Sequence, residues 1–384
     1  MEVVVHQHLV FELLDALLPR WKLKKYPYNR KDAIIPQRVI PEEIRKEKYV
    51  LACFYFYVCI YMRGGIESLQ AFNALIRMWR EHPLLFEPHH AQLMTHEEVQ
   101  VILKRHIGWD SNAASINWIE NSKRLVRNWN GDPLNLLKGL RSYDEACKRI
   151  RNKTKKGELK SVGPRNEGFR GFQYKMVSML LYFYDWEEWL EKRFPYPSPA
   201  DFHNFRLGIA KGAINILLAE GETARSSEQL SKPWRDAVLA YIVTRKADPV
   251  EVADAIWLYS LVMCGNSPAT ITKEKDPRKK EEPDPDERQH SMFHDPTFVE
   301  RWSHGEWVAQ KNGRLHATCR TCLFSSTCRP VPSQPYYRKG RIIIRSPLRV
   351  ESSVGLDAVV VPARPEAPEP VQHILDFDDP ADSS

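Results

Sequence analysis

The sequence predicts a mostly α protein, and three observations carry that expectation. Apolar residues recur at helical spacing along most of the chain through residue 263. Helix start and stop signals bracket those segments. Alternating strand patterns are rare before residue 340.

The opening residues read as a helix followed by a basic, proline-marked extension, "RWKLKKYPYNRK". Residues 41–62 predict a helix that starts after Pro41 and stops before the glycines of 63–65. Its stretch "YVLACFYFYVCIYM" (49–62) is apolar all round, which marks a buried helix and is short for a membrane span. Residues 66–80 continue the helical spacing. "THEEVQVILKRH" (95–106) opens on Thr95 with Glu98 three positions on, the pattern of a capping box. An amphipathic helix over 111–129 ends at "NGDP" (130–133), a strong stop. Further helices are expected over 171–191, 201–219, 226–246 and 249–263. "KEKDPRKKEEPDPDER" (273–288) has the charge and proline content of a disordered insertion, and the tail beyond 350 reads the same way. Between them, 336–350 could add a short strand or a basic arm.

Composition bounds the function. At 384 residues and 43% hydrophobic content the chain can bury a sizeable core. A net charge of +7 permits nucleic-acid binding without requiring it. The 11 tryptophans and 15 tyrosines could stack on bases, although packing accounts for most such residues. No basic region precedes an apolar signal stretch, so no secretory signal and no membrane partner are expected, and a cytoplasmic setting follows. Phosphate-loop, HExxH and GxSxG motifs are absent from the sequence, as is any internal repeat.

Four features carry candidate chemistry. The first is "CRTCLFSSTCR", which sets Cys319, Cys322 and Cys328 at gaps of two and five residues. Thiols this close can converge on one metal centre, and Cys264, at the end of a helix, is the candidate fourth ligand of an iron–sulfur cluster. His316 as the fourth ligand would favour zinc instead. Cys53, Cys59 and Cys147 sit on apolar helical patterns and read as core thiols. The second feature is the basic run 148–160, whose Lys153, Lys155 and Lys156 either neutralise phosphates or form a solvated loop. The third is Lys175, at the mouth of an apolar helix: a nucleophilic amine there, or a lysine reaching to solvent. The fourth is Asp201 with His203 and Arg206 close behind. Asp201 is either a general base or an N-cap, and the two roles can coexist.

Four stretches in this order resemble the helix-hairpin-helix DNA glycosylase superfamily, in its iron–sulfur, endonuclease III-like branch. They are "IGWDSNAASI" (107–116), "FRGFQYKMVSMLL" (169–181), "PADFHNFRL" (199–207) and the cysteine tail. The resemblance covers about residues 45–330. It implies two helical lobes with Lys175 and Asp201 across a cleft, and a C-terminal loop holding a [4Fe–4S] cluster through Cys264, Cys319, Cys322 and Cys328. It divides the chain into an N-terminal helix and basic extension (1–45) packed with the C-terminal lobe, a central lobe with a degenerate hairpin (46–185), a C-terminal lobe with the cysteines (186–330, interrupted by the insertion 273–290), and a basic arm with an acidic tail (331–384). Gly171 keeps the hairpin's first glycine, while Gln173 stands where the family has a second; with His203 and Arg206 they are the implied DNA contacts.

The resemblance implies an enzyme acting on a flipped DNA base. The divergence points toward the phage amino acid:DNA transferases, which are similar to these glycosylases and are also described as glutamyl/putrescinyl-thymine pyrophosphorylase-like. Such an enzyme transfers free glycine or glutamate to phosphorylated 5-hydroxymethyluracil in DNA during thymidine hypermodification, in the host cytoplasm if phage-encoded. The alternative is a base-excision glycosylase or AP lyase with the same cluster.

Overall fold

The computed structural model describes residues 2–31, 33–62, 68–107, 111–154, 162–217 and 227–264. It also describes short stretches at 310–311, 314–315, 322–324, 336–338, 341–345, 348–352, 358–362 and 372–376. Helices dominate the described residues, so the chain is mostly α. It divides into two compact units. One comprises 34–199 with 248–250; the other comprises 1–33, 200–247 and the chain from 251 onward.

The unit built on 34–199 is arranged around one helix. In chain order it holds α2 (Glu42–Arg45), α3 (Lys48–Tyr61), α4 (Ser68–Glu81), α5 (Pro88–Ala91), α6 (His96–His106), α7 (Ser111–Trp129), α8 (Tyr143–Ile150) and α9 (Tyr174–Trp186), with 3-10 turns between several of them. Every residue of α3 from Leu51 to Tyr61 is buried. A helix apolar on all sides must be covered on all sides. Phe54 packs on Phe72 of α4, Tyr57 stacks on Trp118 of α7, Tyr55 stacks on Phe183 of α9, and Phe56 lies against Phe169 and Phe172. Among the described residues no helix is long and apolar enough to cross a membrane.

The single helix expected over 41–62 is two helices. Glu47 is extended (φ −114°, ψ 117°) and breaks the run. Just before the break, the Arg45 guanidinium turns back to the carbonyls of Ile40 and Gln37 and to Glu187. Thr95 and Glu98 form the expected capping box at α6. The stop after α7 falls where expected, with Asn130 and Gly131 both at positive φ.

Glu87 caps α5, accepting from the backbone N–H of His89 (3.3 Å) and His90 (2.8 Å), and from the Tyr49 hydroxyl (3.1 Å). Partial burial raises its carboxyl, but the donors from His90, His89 and Tyr49 together hold it below the usual carboxylate range. A carboxyl depressed by folding contributes stability that is full above its ordinary value near 4.5 and is lost as pH falls through the lower folded value. Glu87→Gln is therefore expected to cost about 1–2 kcal/mol at neutral pH and to flatten the acid limb of a stability–pH curve from urea titrations.

The second unit holds β1 (Glu2–Val5), α1 (Gln7–Lys22), α10 (Phe202–Ala210), β2 (Ile214–Leu217), α11 (Ser227–Arg245) and α12 (Pro249–Tyr259), the last continuing as a π-helical turn over Ser260–Cys264. Residues 249 and 250 of α12 belong to the first unit. Val10, Leu13, Leu14, Leu17 and Trp21 bury one face of α1. Phe11 meets Tyr241 of α11 edge to face, and Asp15 accepts from Tyr241 and Arg245.

Two expectations are corrected here. The helix expected over 201–219 stops at Ala210, turns at Lys211–Gly212, and leaves as β2. The opening residues are a strand before they are a helix, because β1 pairs antiparallel with β2 (Glu2 opposite Leu217, Val5 opposite Ile214). Beyond residue 309 the described residues are chiefly short strands. β3 (Gln310–Lys311) pairs with β4 (Arg314–Leu315). β5 (Tyr336–Arg338), β6 (Arg341–Arg345) and β9 (Gln372–Asp376) form one sheet, and β7 (Leu348–Ser352) pairs with β8 (Ala358–Pro362). The stretch 336–350 thus supplies strand rather than a plain arm. Strand also extends into the tail expected to be disordered, through the apolar runs at 359–361 and 374–375. The insertion 273–290 lies outside the described residues.

Candidate functional site

The carboxylate of Asp201 sits where helix α10 begins. The residue is extended (φ −133°, ψ −176°), as an N-cap requires. Its Oδ1 accepts from the backbone N–H of His203 (3.0 Å) and Asn204 (3.2 Å), and from the Asn204 side-chain amide (2.9 Å). Among the described residues none of these bonds ends on Oδ2. Asn204 is buried and its Oδ1 accepts from the indole N–H of buried Trp234 (3.1 Å), so the amide is fixed from behind. His203 is buried with its ring edge on Trp257, 5.7 Å between centroids. A β-carbon on Gly208 would stand 2.6 Å from Ile214 and 2.8 Å from Trp234, so α10 lies close against both. The cap thus uses Oδ1 of the carboxylate.

The same unit places Cys322. Its sulfur accepts from the Phe324 N–H (3.4 Å) and shares a hydrogen bond with the Tyr259 hydroxyl (3.2 Å) in which either group can donate, while the Leu323 N–H donates to the Tyr259 oxygen (2.8 Å). Donors aimed at sulfur are what a metal-bound thiolate accepts and what tunes it. Tyr259 lies five residues before Cys264 on one continuous helical run, whose last turn is π-helical, a form found mostly at functional positions. Phe324 packs on Tyr259, and the Lys211 ammonium lies 5.5 Å from its ring centre. Cys322 is thereby tied to Tyr259, five residues before Cys264. Cys319, Cys328 and His316 lie outside the described residues, as do the side chains of Cys264 and Arg206. Cys53, Cys59 and Cys147 are buried, as core thiols should be, and burial pushes the Cys53 and Cys59 thiols up.

The other unit holds Gly171, Gln173 and Lys175. Gly171 has φ +80°, Gln173 is the N-cap of α9 with no side-chain cap bond, and Lys175 is half-buried in the first turn. First-turn amides without a side-chain cap, beside a cation, form an anion-favouring terminus. Lys175 is close enough to Cys59 for its charge to oppose the rise in that thiol. The loop before Gly171 is fastened to α7. Asn121 makes a reciprocal pair with the backbone of Arg170 (2.8 and 2.6 Å), and Arg124 donates to the Gly168 carbonyl at 3.0 Å. The loop also meets the end of α8, where Asn152 N–H donates to the Phe172 carbonyl at 2.7 Å.

Gly168 is required there. Its φ is +69°, and a β-carbon would lie 1.8 Å from the Arg151 carbonyl oxygen. Gly168→Ala is expected to cost more than the roughly 1–3 kcal/mol of left-handed strain alone. Gly139→Ala, at the same φ with nothing within 4 Å, should show that strain without the clash when the two are compared by urea unfolding.

Lys153 is not a solvated cation. It is buried, and its ammonium donates to the carbonyls of Lys148 (2.6 Å) and Asn166 (2.9 Å), closing the loop that follows α8. Lys155 and Lys156 lie outside the described residues. The sequence reading did not single out Asn204, Tyr259 or Asn121. Asn204 was within reach, since a polar residue three positions after a cap can return to it; the other two act through contacts remote in the chain.

No protein-family model matches this chain, and no curated protein matches it. Fold and site together define a mostly α protein with an N-cap carboxylate that accepts three hydrogen bonds, a glycine turn before a lysine-bearing helix, and a cysteine hydrogen-bonded to a tyrosine.

Proposed function

We propose that this chain is a DNA base-modifying enzyme that transfers an amino acid, glycine or glutamate, to phosphorylated 5-hydroxymethyluracil in DNA during thymidine hypermodification. The single observation behind this reading is Asp201. Three donors hold Oδ1 and fix the plane of the carboxylate, while Oδ2 takes none of those bonds. An oriented carboxylate oxygen of this kind is what a general base needs. The step balances simply. The amino group of the free amino acid attacks the exocyclic methylene carbon of the base and a C–N bond forms. The C–O bond to the phosphorylated group breaks, and its electron pair leaves on that group. The proton shed by the amine goes to Asp201.

The leaving group carries negative charge and needs a cation; Arg206, in the helix that Asp201 caps, is one candidate, and Lys175 is the one the glycosylase resemblance implies. Gly171 and Gln173 set the turn that presents the α9 terminus to a DNA phosphate. Cys264, Cys319, Cys322 and Cys328 are the residues to hold a [4Fe–4S] cluster, which when bound ties the cysteine segment to the end of α12.

A second reading, a base-excision glycosylase or AP lyase, is favoured by one observation: Lys175 heads a buried helix, where an amine is sheltered for attack on a sugar C1′. One experiment separates the two. The reduced full chain is incubated with duplex DNA containing phosphorylated 5-hydroxymethyluracil and labelled glycine or glutamate, and the nucleosides are analysed by mass. Incorporation of label supports transfer. Strand nicking with borohydride trapping through Lys175, and no incorporation, supports the lyase. Neither outcome with any amino acid or damaged base removes both.

A further inference from the structure

Away from the hairpin, the unit built on 34–199 gathers three metal-ligating side chains that the proposed chemistry does not use. Glu81 is the last residue of α4, His82 follows it directly, and His106 is the last residue of α6. One donor atom from each lies within 4.8 Å of the other two. The rings of His82 and His106 meet edge to face with centroids 5.6 Å apart.

The pair is not explained by packing alone. The His106 side chain is only 5% exposed, and among the described residues neither its Nε2 nor the buried Nε2 of His82 has a hydrogen-bond partner. Buried polar atoms are nearly always paired, and two orphaned ring nitrogens beside one carboxylate need a common explanation. His106 Nε2 already lies 3.5 Å from Glu81 Oε2. Ligand atoms around a tetrahedral zinc with bonds of about 2.0–2.1 Å stand about 3.3 Å apart, so the His106–Glu81 pair has nearly that spacing before any ion arrives.

We propose that Glu81, His82 and His106 bind a divalent transition-metal ion, zinc foremost, through two imidazoles and one carboxylate, with the fourth position open to water. Two nitrogen donors select against magnesium and calcium, which take oxygen. The half-exposed Glu81 side chain gives the ion a route in from solvent and the mobility to close the last ångström. Burial lowers the His106 pKa despite the pull of Glu81, with His82, Arg105 and Arg77 acting in the same direction as burial. Arg105 is the competitor: its guanidinium lies 3.4 Å from Glu81 Oε2, and at 70% exposure it can swing out to water when a metal takes the carboxylate. The ion would pin the end of α4 to the end of α6.

The test uses the full chain, reduced and stripped with a chelator, titrated with zinc against a chromophoric competitor. Glu81→Gln and Arg105→Gln alter half-exposed and exposed side chains and should leave the fold intact. Loss of an outer-shell partner typically costs about 10- to 100-fold in metal affinity, and loss of a direct ligand costs no less, so Glu81→Gln should weaken binding at least about tenfold. Arg105→Gln should tighten it by removing the competitor. The paired change His82→Asn with His106→Gln should lower the zinc bound by one equivalent, leaving any thiolate-bound metal in place. With cobalt, the spectrum of the wild type minus that of Glu81→Gln should lack a sulfur-to-metal charge-transfer band, which separates this site from the cysteines. Equal affinity and stoichiometry in the wild type, Glu81→Gln and Arg105→Gln would overturn the proposal, as would a sulfur band in the difference spectrum.

Discussion

Trp118→Ala is expected to lower the stability of the unit built on 34–199 by about 4 kcal/mol or more, near the upper end for a single core substitution. Trp118 is fully buried in α7. One face stacks on Tyr57 of α3, with centroids 4.4 Å apart and the rings within 15° of parallel, and Phe86 meets it edge to face at 5.3 Å. Its indole N–H donates to the Leu85 carbonyl at 2.8 Å. Alanine leaves a large cavity against the helix that every neighbour packs on, and orphans a carbonyl on the 3-10 turn at Pro83–Phe86. Tyr57 is itself tied to α7 through Ser122 (2.7 Å), so the loss spreads to a second contact between the same two helices. With a shift of about 2–4 °C per kcal/mol for a unit of this size, the thermal midpoint should fall by roughly 8–16 °C. Trp118→Phe keeps most of the stacking area and loses the hydrogen bond, and should cost about half as much. A loss below about 2 kcal/mol for the alanine variant, read from urea titrations of the full chain followed by near-ultraviolet circular dichroism, would mean the α3–α7 contact is not central to the core.

The role of α3 illustrates what a sequence can disclose. A helix with no polar face has only one stable setting in water, so "YVLACFYFYVCIYM" announces a central buried helix whatever surrounds it. The Thr95–Glu98 capping box and the stop at Asn130–Gly131 are legible for the same reason: the residues that make the structure are within four positions of each other. The break at Glu47 was not: the local sequence carries no glycine or proline there, and the Arg45 side chain beside it bonds Glu187 more than a hundred residues away. The β1–β2 pair was missed because four residues of Val-rich chain read equally well as the start of a helix, and the partner strand is at 214–217. Charge misleads in a related way. Lys153 belongs to a conspicuous basic run, yet whether a lysine meets water or two carbonyls depends on how the loop folds back to Asn166, which no run of charges encodes. In the candidate site the cap role of Asp201 was legible, since an aspartate two residues after Pro199 is a helix-start signal. The partnership of Tyr259 with Cys322 was not, since the two are joined only by the fold.

On the proposed transfer reaction, Asp201→Asn is expected to abolish amino-acid transfer almost completely while leaving the protein folded. Asparagine caps a helix about as well as aspartate, so its side-chain oxygen can keep the bonds from the His203 and Asn204 N–H groups, and α10 should start where it does now. What asparagine cannot do is accept a proton at the position of Oδ2. Loss of a positioned general base typically lowers the rate about 10²- to 10⁴-fold, so turnover on phosphorylated 5-hydroxymethyluracil DNA should fall by that factor with little change in DNA binding or thermal midpoint. Asp201→Ala removes both roles and should add about 1 kcal/mol of instability to the same loss of rate. The pair separates the two oxygens of one side chain. If the asparagine variant keeps full activity while the alanine variant is merely less stable, Asp201 is a cap alone, and the proton of the attacking amine must leave by another route. If both variants are inactive and equally stable, the cap contributes nothing and the base reading stands by itself. The expected result lies between these: equal loss of rate, with the loss of stability confined to alanine. That pattern follows only if Oδ1 holds the helix and Oδ2 handles the proton.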